Sequence, residues 1–443
     1  MLKTFRIGGI HPHDNKLSKG TPIEVMPLPE KVVIPLSQHI GAPAQPCVSK
    51  GDKVKVGDLI GTANGFVSAN IHSSVSGTVT AVDAQPDASG VRKPSVTIEV
   101  EGDQWNEHIL RDATELPDLD AKGIIEAIAA AGIVGMGGAT FPTQVKLSVP
   151  PGKKAEFLII NGVECEPYLT ADHRVMLERP DELIAGVELL CRALQVSQAF
   201  IGIENNKPDA IKLLSQKAAA HNGATISVVP LKVQYPQGGE KQLIDAVTGR
   251  QVPSGALPID TGAVVQNAGT ALAVYEAVVK RKPLFERIIT VTGKPLSAPR
   301  NLLVRIGTPI RSLIDYCGGM PDNVGKVIGG GPMMGRAACN LDAGVTKGSS
   351  GILLMDDRES SRGTQGPCIR CAKCVSACPM GLEPYLINVM TKKGMIAETE
   401  KLHPYDCIEC GSCSYTCPAH IPLLDYIRLA KGEVMKIMRA RKS

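Results

Sequence analysis

One cysteine pattern near the C-terminus constrains this chain more than any other feature, and it occurs twice. Cys368, Cys371, Cys374 and Cys378 precede Pro379, and Cys407, Cys410, Cys413 and Cys417 precede Pro418. Both stretches read C-x-x-C-x-x-C-x-x-x-C-P, a spacing that holds two [4Fe–4S] cubanes. Three thiolates in a tight loop take three corners of one cube, and the fourth, before a proline, reaches across to the other. This pairs Cys368, Cys371 and Cys374 with Cys417, and Cys407, Cys410 and Cys413 with Cys378. Four-cysteine zinc sites are the competing reading, since they also use CxxC pairs. Zinc sites show two separated pairs, whereas a run of three plus a fourth before proline favours clusters. Such a chain moves electrons, and the rest of the sequence must say where they come from.

Composition removes several alternatives. At 443 residues the chain needs more than one core, and length alone suggests about three domains. Aromatic residues are only 3% of the total and net charge is +4, which argues against a nucleic-acid binder. The cysteines outside the two motifs (Cys47, Cys165, Cys191, Cys317 and Cys339) are scattered and odd in number, unlike a disulfide framework. Residues 1–10 lack the apolar core of a secretory signal, so the expected compartment is reducing and cytoplasmic. No run of about 18 apolar residues is present to span a membrane. The basic tail, with Arg439, Arg441 and Lys442, reads as a solvated helix end.

Residues 1–24 contain Gly and Pro and read as an N-terminal extension. His11, His13, His39 and His72 read as surface or packing histidines, because no helical i, i+4 pair of histidines accompanies them. Residues 25–105 read as a small all-β unit, with short alternating runs separated by Gly, Pro and Asp. Gly51-Asp52 and Gly57-Asp58 bracket Val54 and Val56 in a tight double turn. This stretch resembles the barrel-sandwich hybrid of biotinyl and lipoyl carrier domains, with Ser76-Gly77-Thr78-Val79 as its second half. Those carriers present a modified lysine at a hairpin tip. Here the tip is Thr62-Ala63-Asn64-Gly65-Phe66, so the expectation is an unmodified scaffold.

A polar linker at 106–118 gives way to a different pattern over 115–285. Ile124, Ile125, Ile128 and Ala131 fall at helical spacing, and Gly135-Met136-Gly137-Gly138-Ala139-Thr140-Phe141 follows. Glycines there let backbone N–H groups approach a ligand closely. A buried strand at 157–160 runs into Asn161-Gly162-Val163-Glu164-Cys165-Glu166-Pro167, a polar cluster at a strand's carboxyl end, where open α/β sheets bind ligands. Helices at 180–194 and 208–222 alternate with strands at 199–204 and 225–229. Tyr235-Pro236-Gln237-Gly238-Gly239-Glu240 then opens another helix.

The order GMGGATFPTQVKL, NGVECEP, YPQGGEKQL and VVQNAGT resembles the flavin- and NADH-binding subunit of respiratory complex I and its relatives. With the N-terminal hybrid unit and the two cysteine motifs added, the whole chain resembles the RnfC family, the flavin- and NADH-facing part of the Rnf ion-translocating electron-transport complex. The segments around Phe5–Pro12 and Gln38–Pro43 share that resemblance. It implies FMN and NAD(H) as cofactors beside the two [4Fe–4S] clusters. By the same resemblance, Gly135, Gly137 and Gly138 form the glycine loop around the flavin. Lys146 lies near its phosphate or ring, and Asn161 and Glu164 make polar flavin contacts. Phe141 and Glu166 lie on the NADH side. Tyr235, Gly238 and Glu240 flank nicotinamide and flavin, and Asn267 lies near the FMN phosphate with Thr270 beside it. Glu164, Glu166 and Glu240 are the candidate catalytic carboxylates. Val163 and Gly239 depart from the pattern, standing where complex I-type sequences carry Asp and Glu.

Residues 286–360 read as strands, a helix and further strands, resembling the β-grasp (SLBB) unit found beside such flavin domains. Gly329-Gly330-Gly331 reads as a tight turn or interdomain contact, since no Lys-Ser/Thr pair follows as a phosphate loop needs. A linker at 356–367 leads to 361–443, where the segments between and after the cysteine motifs read as helices. The expected fold class is therefore multidomain α/β and α+β. It comprises a β barrel-sandwich hybrid, a Rossmann-like flavin/NADH domain, an SLBB β-grasp domain and an α-helical two-cluster ferredoxin domain.

NADH delivers two electrons as a hydride, clusters accept one at a time, and a flavin bridges the mismatch. The resemblance thus implies an NADH:acceptor (ferredoxin:NAD+) oxidoreductase coupled to ion translocation. It would act as a peripheral subunit on the cytoplasmic face of a bacterial membrane, with other Rnf-type subunits, including an iron–sulfur partner that exchanges electrons with ferredoxin. Two alternatives are a soluble flavin reductase resembling the cobalamin reductases, and a carrier module without nucleotide binding.

Overall fold

The computed structural model describes residues 2–441; Lys442 of the basic tail lies outside them. Four sheets organise the chain. In the N-terminal unit a four-stranded antiparallel sheet (Lys31–Pro35, Arg92–Gly102, Ser76–Pro86, Lys53–Val54) faces a three-stranded one (Gln45–Pro46, Leu59–Thr62, Ile71–His72). Period-2 alternation turns Val32, Ile34, Val79, Val96 and Ile98 inward. The repeated Gly-Asp pairs make the double turn. Gly51 and Gly57 adopt φ of 98° and 91°, which favours glycine. Asp52 and Asp58 accept the N–H groups of Ser49 and Lys55 at 2.8 and 2.7 Å. Phe66 at the hairpin tip is exposed.

Residues 1–24 are not a free extension. Ile23–Val25 pairs in parallel with Arg300–Arg305 of the third sheet. Lys3 bridges Leu231, and Ile10 bridges Tyr235. The sequence signal was missed because a single strand that pairs with partners more than 200 residues away leaves no local periodicity.

The second unit is a four-stranded parallel sheet in the order Thr225–Leu231, Gln198–Glu204, Phe157–Asn161, Ala263–Asn267. Its strands carry continuous apolar runs, as expected when helices cover both faces. Helix Pro180–Leu194 starts with Pro at its first turn and ends with Gln195 in the left-handed region. Helix Ala268–Val279 is buried almost throughout. The carboxyl ends of the two inner strands, Asn161 and Asn267, lie in register side by side.

The third unit is a six-stranded mixed sheet, ordered Ile23–Val25, Arg300–Arg305, Glu286–Thr292, Gly351–Asp356, Val324–Gly329, Arg336–Ala337. Helix Ile310–Tyr316 packs Ile310, Leu313 and Ile314 into its core. The expected linker at 356–367 begins with one helical turn, Asp357–Ser360, capped by Asp356. The last unit is helical: Lys373–Ala377, Pro384–Lys392, Ile396–Thr399, Ser412–Tyr415 and Leu423–Ala440. The longest helix buries Leu423, Leu424, Ile427, Ala430 and Val434, one face at helical spacing. Among the described residues, no helix is long and apolar enough to cross a membrane.

Candidate redox site

The glycine loop leaves helix Ala121–Ala130 and is closed by Gly135 N–H donating to the Phe141 carbonyl at 2.8 Å. It is tied to the start of helix Ala268–Val279, where Met136 N–H donates to Thr270 Oγ1 at 2.9 Å. Asn267 caps that helix, its Oδ1 accepting from Gly269 and Thr270 N–H. A Cβ at Gly137 would stand 2.8 Å from Asn267 Nδ2, and one at Gly138 would meet nothing within 4 Å. Glycine therefore serves close approach at 137 and leaves open space at 138. A glycine loop against a helix N-terminus suits a phosphate. Asn267 Nδ2 also donates to Asp172 at 2.7 Å. Burial raises Asp172 above the usual carboxylate range, with the neighbouring Glu164 carboxylate adding to the shift.

Asn161 Nδ2 donates to the Gly238 carbonyl at 2.8 Å, joining the NGVECEP and YPQGGEK loops. Gly238 N–H in turn meets Cys165 Sγ at 3.3 Å. The Val163 side chain is buried in an apolar cluster with Leu231 and Leu243, which explains why this position carries no acid. Lys146 pairs with Glu240 at 2.6 Å and donates to the Val265 carbonyl.

The three candidate carboxylates do not converge. Glu240 is taken by Lys146. Glu164 accepts Asp172 and His173 N–H at 2.8 and 3.2 Å, at the start of helix Ala171–Glu178. Glu166 turns to the β-grasp unit, accepting Met334 and Met333 N–H at 2.8 and 3.1 Å. A Cβ at Gly331 would lie 2.2 Å from Glu166 Oε2, so the triple-glycine turn makes room for this carboxylate. Burial pushes Glu166 up to about 7. Three non-glycine residues of these loops, Thr140, Glu164 and Tyr168, hold positive φ of 55°, 47° and 71°, a conformation that concentrates at functional sites.

Tyr235 links this edge to the cysteines. Its hydroxyl donates to the Cys410 carbonyl at 2.9 Å and stands 3.4 Å from Glu166 Oε1. Ile10, Tyr235, Ala377 and Cys410 form one buried apolar cluster, with Cys165, Met333 and Ile408 against it. Gln242 Nε2 donates to the Pro379 carbonyl at 3.2 Å. Gly9 N–H donates to the Ala377 carbonyl at 3.0 Å. At Gly8 a Cβ would be 2.4 Å from the Cys378 carbonyl oxygen.

Cys378, Cys407, Cys410 and Cys413 border one cavity, with Pro379, Met380, Leu382, Ile408, Leu424 and Ile427 completing its wall. Four thiols around an apolar cavity fit an iron–sulfur cluster. Among the described residues no three His, Cys, Asp or Glu side chains are grouped as a single metal ion requires. Cys374 lies within electrostatic reach of Cys417. Cys368 and Cys371 are exposed, as is Ile369 between them. The two residues that sequence reasoning missed entirely are Lys16 and Lys207. Lys16 donates to the carbonyls of Glu164, Glu166 and Leu169, and Lys207 to that of Val163. A lysine bonded only to backbone carries no motif.

Family models match successive parts of the chain: an RnfC barrel sandwich hybrid domain over residues 3–103, a Nuo51 FMN-binding domain over 128–276, an SLBB domain over 288–337 and a 4Fe-4S dicluster domain over 363–418. The RnfC-type component of the proton-translocating ferredoxin:NAD(+) oxidoreductase complex of Clostridium ljungdahlii is 48% identical over 98% of this chain and 94% of its own. The counterpart from the Na(+)-translocating complex of Acetobacterium woodii is 47% identical over 98% and 97%. That from the ion-translocating oxidoreductase complex of Rhodobacter capsulatus is 44% identical over 98% and 84%. An NAD+-reducing [NiFe]-hydrogenase chain shares the fold, with a TM-score of 0.50 at 19% identity over 71% of this chain and 63% of that one.

Proposed function

This chain belongs to the RnfC family of ion-translocating ferredoxin:NAD(+) oxidoreductase (Rnf) complexes, and from that premise we propose how its residues divide the work. It is an oxidoreductase subunit that passes electrons between NAD(H), FMN and two [4Fe–4S] clusters, within a complex that couples this transfer to ion translocation. When bound, FMN exchanges a hydride with nicotinamide and single electrons with iron–sulfur centres.

Gly135, Gly137 and Gly138, with Asn267 and Thr270 at the helix N-terminus, receive the FMN phosphate. Asn161, Glu164 and Gly238 line the ring, and the Lys146–Glu240 pair fixes the loop beside it. Phe141 lies toward NADH. Glu166 and Tyr235 are junction residues as well as ring-flanking ones, since both bond across to other units. Cys407, Cys410, Cys413 and Cys378 hold the flavin-side cluster. Cys368, Cys371, Cys374 and Cys417 hold the partner-side cluster, whose loop is open to solvent. The observation that carries this order is the hydrogen bond from Tyr235, a flavin-domain side chain, to the Cys410 carbonyl.

Attachment to the membrane is peripheral, through the other subunits of the complex, including an iron–sulfur partner. Its cytoplasmic face suits a chain whose thirteen cysteines are all unbridged. The test is anaerobic addition of NADH to the full chain carrying both clusters, with and without FMN. Bleaching of the iron–sulfur absorbance only when FMN is present supports the reading. Equal bleaching without flavin, or none with it, sinks it.

A further inference from the structure

Two lysines from distant parts of the chain meet the same loop. Half-buried Lys16, in the N-terminal segment, places Nζ 2.8 Å from the Glu164 carbonyl, 2.9 Å from that of Glu166 and 2.6 Å from that of Leu169. An ammonium has three N–H donors, so all of them are engaged by this one loop. Buried Lys207, just before helix Pro208–Ala220, donates to the Val163 carbonyl at 2.7 Å. The buried counter-charge is Glu204, 3.8 Å from Lys207. Glu164 is the other carboxylate nearby, and its oxygens are already committed to Asp172 and His173 N–H. The two ammonium groups sense each other, Lys16 being held below the usual lysine range by burial first and by Lys207 second.

Burying a charge against neutral carbonyls costs free energy that an uncharged core residue would not. What the chain gains is a fixed loop shape. The C=O and N–H of a planar trans peptide point in opposite directions. Carbonyls of Val163 and Glu164 drawn onto the lysines therefore turn the N–H groups of Glu164 and Cys165 to the other side. Neither N–H finds an acceptor among the described residues, and Glu164 sits at φ 47° to allow the arrangement. Successive outward N–H groups around a left-handed residue form a concavity suited to an electron-rich group.

We propose that Lys16 and Lys207 are positioning residues for the flavin: they hold the Asn161–Pro167 loop with its free N–H groups outward and set two positive charges, countered by Glu204, against the electron-rich reduced form of the ring. The inference rests on the flavin reading of this site. It assigns the N-terminal segment a part in the redox site, because one of the two charges arrives on residue 16.

The test uses the full chain with both clusters, stripped of flavin and titrated with FMN, followed by measurement of the flavin midpoint potential. Lys16→Met and Lys207→Met each weaken FMN binding about tenfold or more and move the potential negative. Lys16→Arg restores part of both. Glu204→Gln, which removes the counter-charge, moves the potential positive. Opposite signs separate charge from general damage, which would shift all variants alike. The proposal falls if the folded lysine variants bind FMN as the wild type does with an unmoved potential. It also falls if Glu204→Gln shifts the potential negative or leaves it unmoved, and this variant decides the matter if the lysine variants do not fold. Failure of the wild-type chain itself to take up FMN is a distinct result, and it overturns the flavin reading beneath.

Discussion

Cys378, Cys407, Cys410 and Cys413 surround a cavity walled by aliphatic side chains, and Tyr235 of the flavin-type domain reaches the backbone of one of them. Cys368 and Cys371 stand in solvent, with exposed Ile369 between them and exposed arginine and lysine nearby. The spacing of the two motifs is identical. Neighbours therefore decide which set faces inward and which faces a partner. The first set is enclosed because Gly8, Gly9 and Ile10 press against Ala377 and Cys378 from one side and Gln242 and Tyr235 approach from another. The second set has no such cover from the flavin-type domain among the contacts described.

The contrast is open to direct attack, from the strongest intervention to the mildest. Cys410→Ala removes a thiol of the enclosed set, and NADH-dependent reduction of the remaining cluster should be almost abolished. Cys371→Ala should leave reduction of the enclosed cluster intact, as read by EPR after anaerobic mixing. Cys417→Ala sharpens ligand assignment. It should damage the cluster of Cys368, Cys371 and Cys374 more than the other, and equal loss of both EPR signals in a folded protein would contradict the crossing.

Gly8→Ala places a methyl group 2.4 Å from the Cys378 carbonyl oxygen at φ 72°, whereas Gly381→Ala, at φ 65°, meets nothing within 4 Å. Both incur the left-handed penalty, about 1 kcal/mol. The first should be the more destabilising and should loosen the enclosed cluster selectively, as iron release on mild heating would report. Tyr235→Phe leaves the Cys410 carbonyl without its donor and should cost about 1–3 kcal/mol. It should also lower the midpoint potential of the enclosed cluster only, because the hydroxyl dipole favours added negative charge there.

The mildest intervention lies away from both cysteine sets. Lys347 is fully buried, donating to the Asn70 and Gly132 carbonyls at 2.6 and 2.7 Å, where three units meet. Burial lowers it from 10.5 to about 7. Between those values the unfolded chain binds the proton that the folded chain has lost, so stability rises with pH across that window. Lys347→Met should flatten that rise in pH-dependent melting while leaving the order of cluster reduction unchanged.

The thiol sets and the parallel sheet were legible because their signals are local. The cysteine spacing lies within eleven residues, and Phe157–Asn161 is a continuous apolar run ending in a polar turn. The glycine loop was legible too, because Gly137 and Gly138 are tied to backbone geometry that composition betrays. Surroundings were not legible. Nothing around Lys16 hints that its ammonium would reach residues 164 to 169, and nothing in Glu166-Pro167 says that the carboxylate would turn to Met333 and Met334 rather than toward a nucleotide. The N-terminal segment read as an extension because its partners, Leu231, Tyr235 and Ala377, are all more than 200 residues away. Contacts at such separations leave no period in the sequence, and they are the contacts that distinguish the enclosed set from the exposed one.

The central claim is that the set containing Cys410 lies between the flavin and the set containing Cys371. Freeze-quench EPR of the FMN-loaded full chain, mixed anaerobically with NADH, tests it most directly. The account predicts that the signal of the Cys378, Cys407, Cys410 and Cys413 cluster rises first, and that the other cluster stays oxidised in Cys410→Ala. Reduction of the exposed cluster at the wild-type rate in that variant would contradict it.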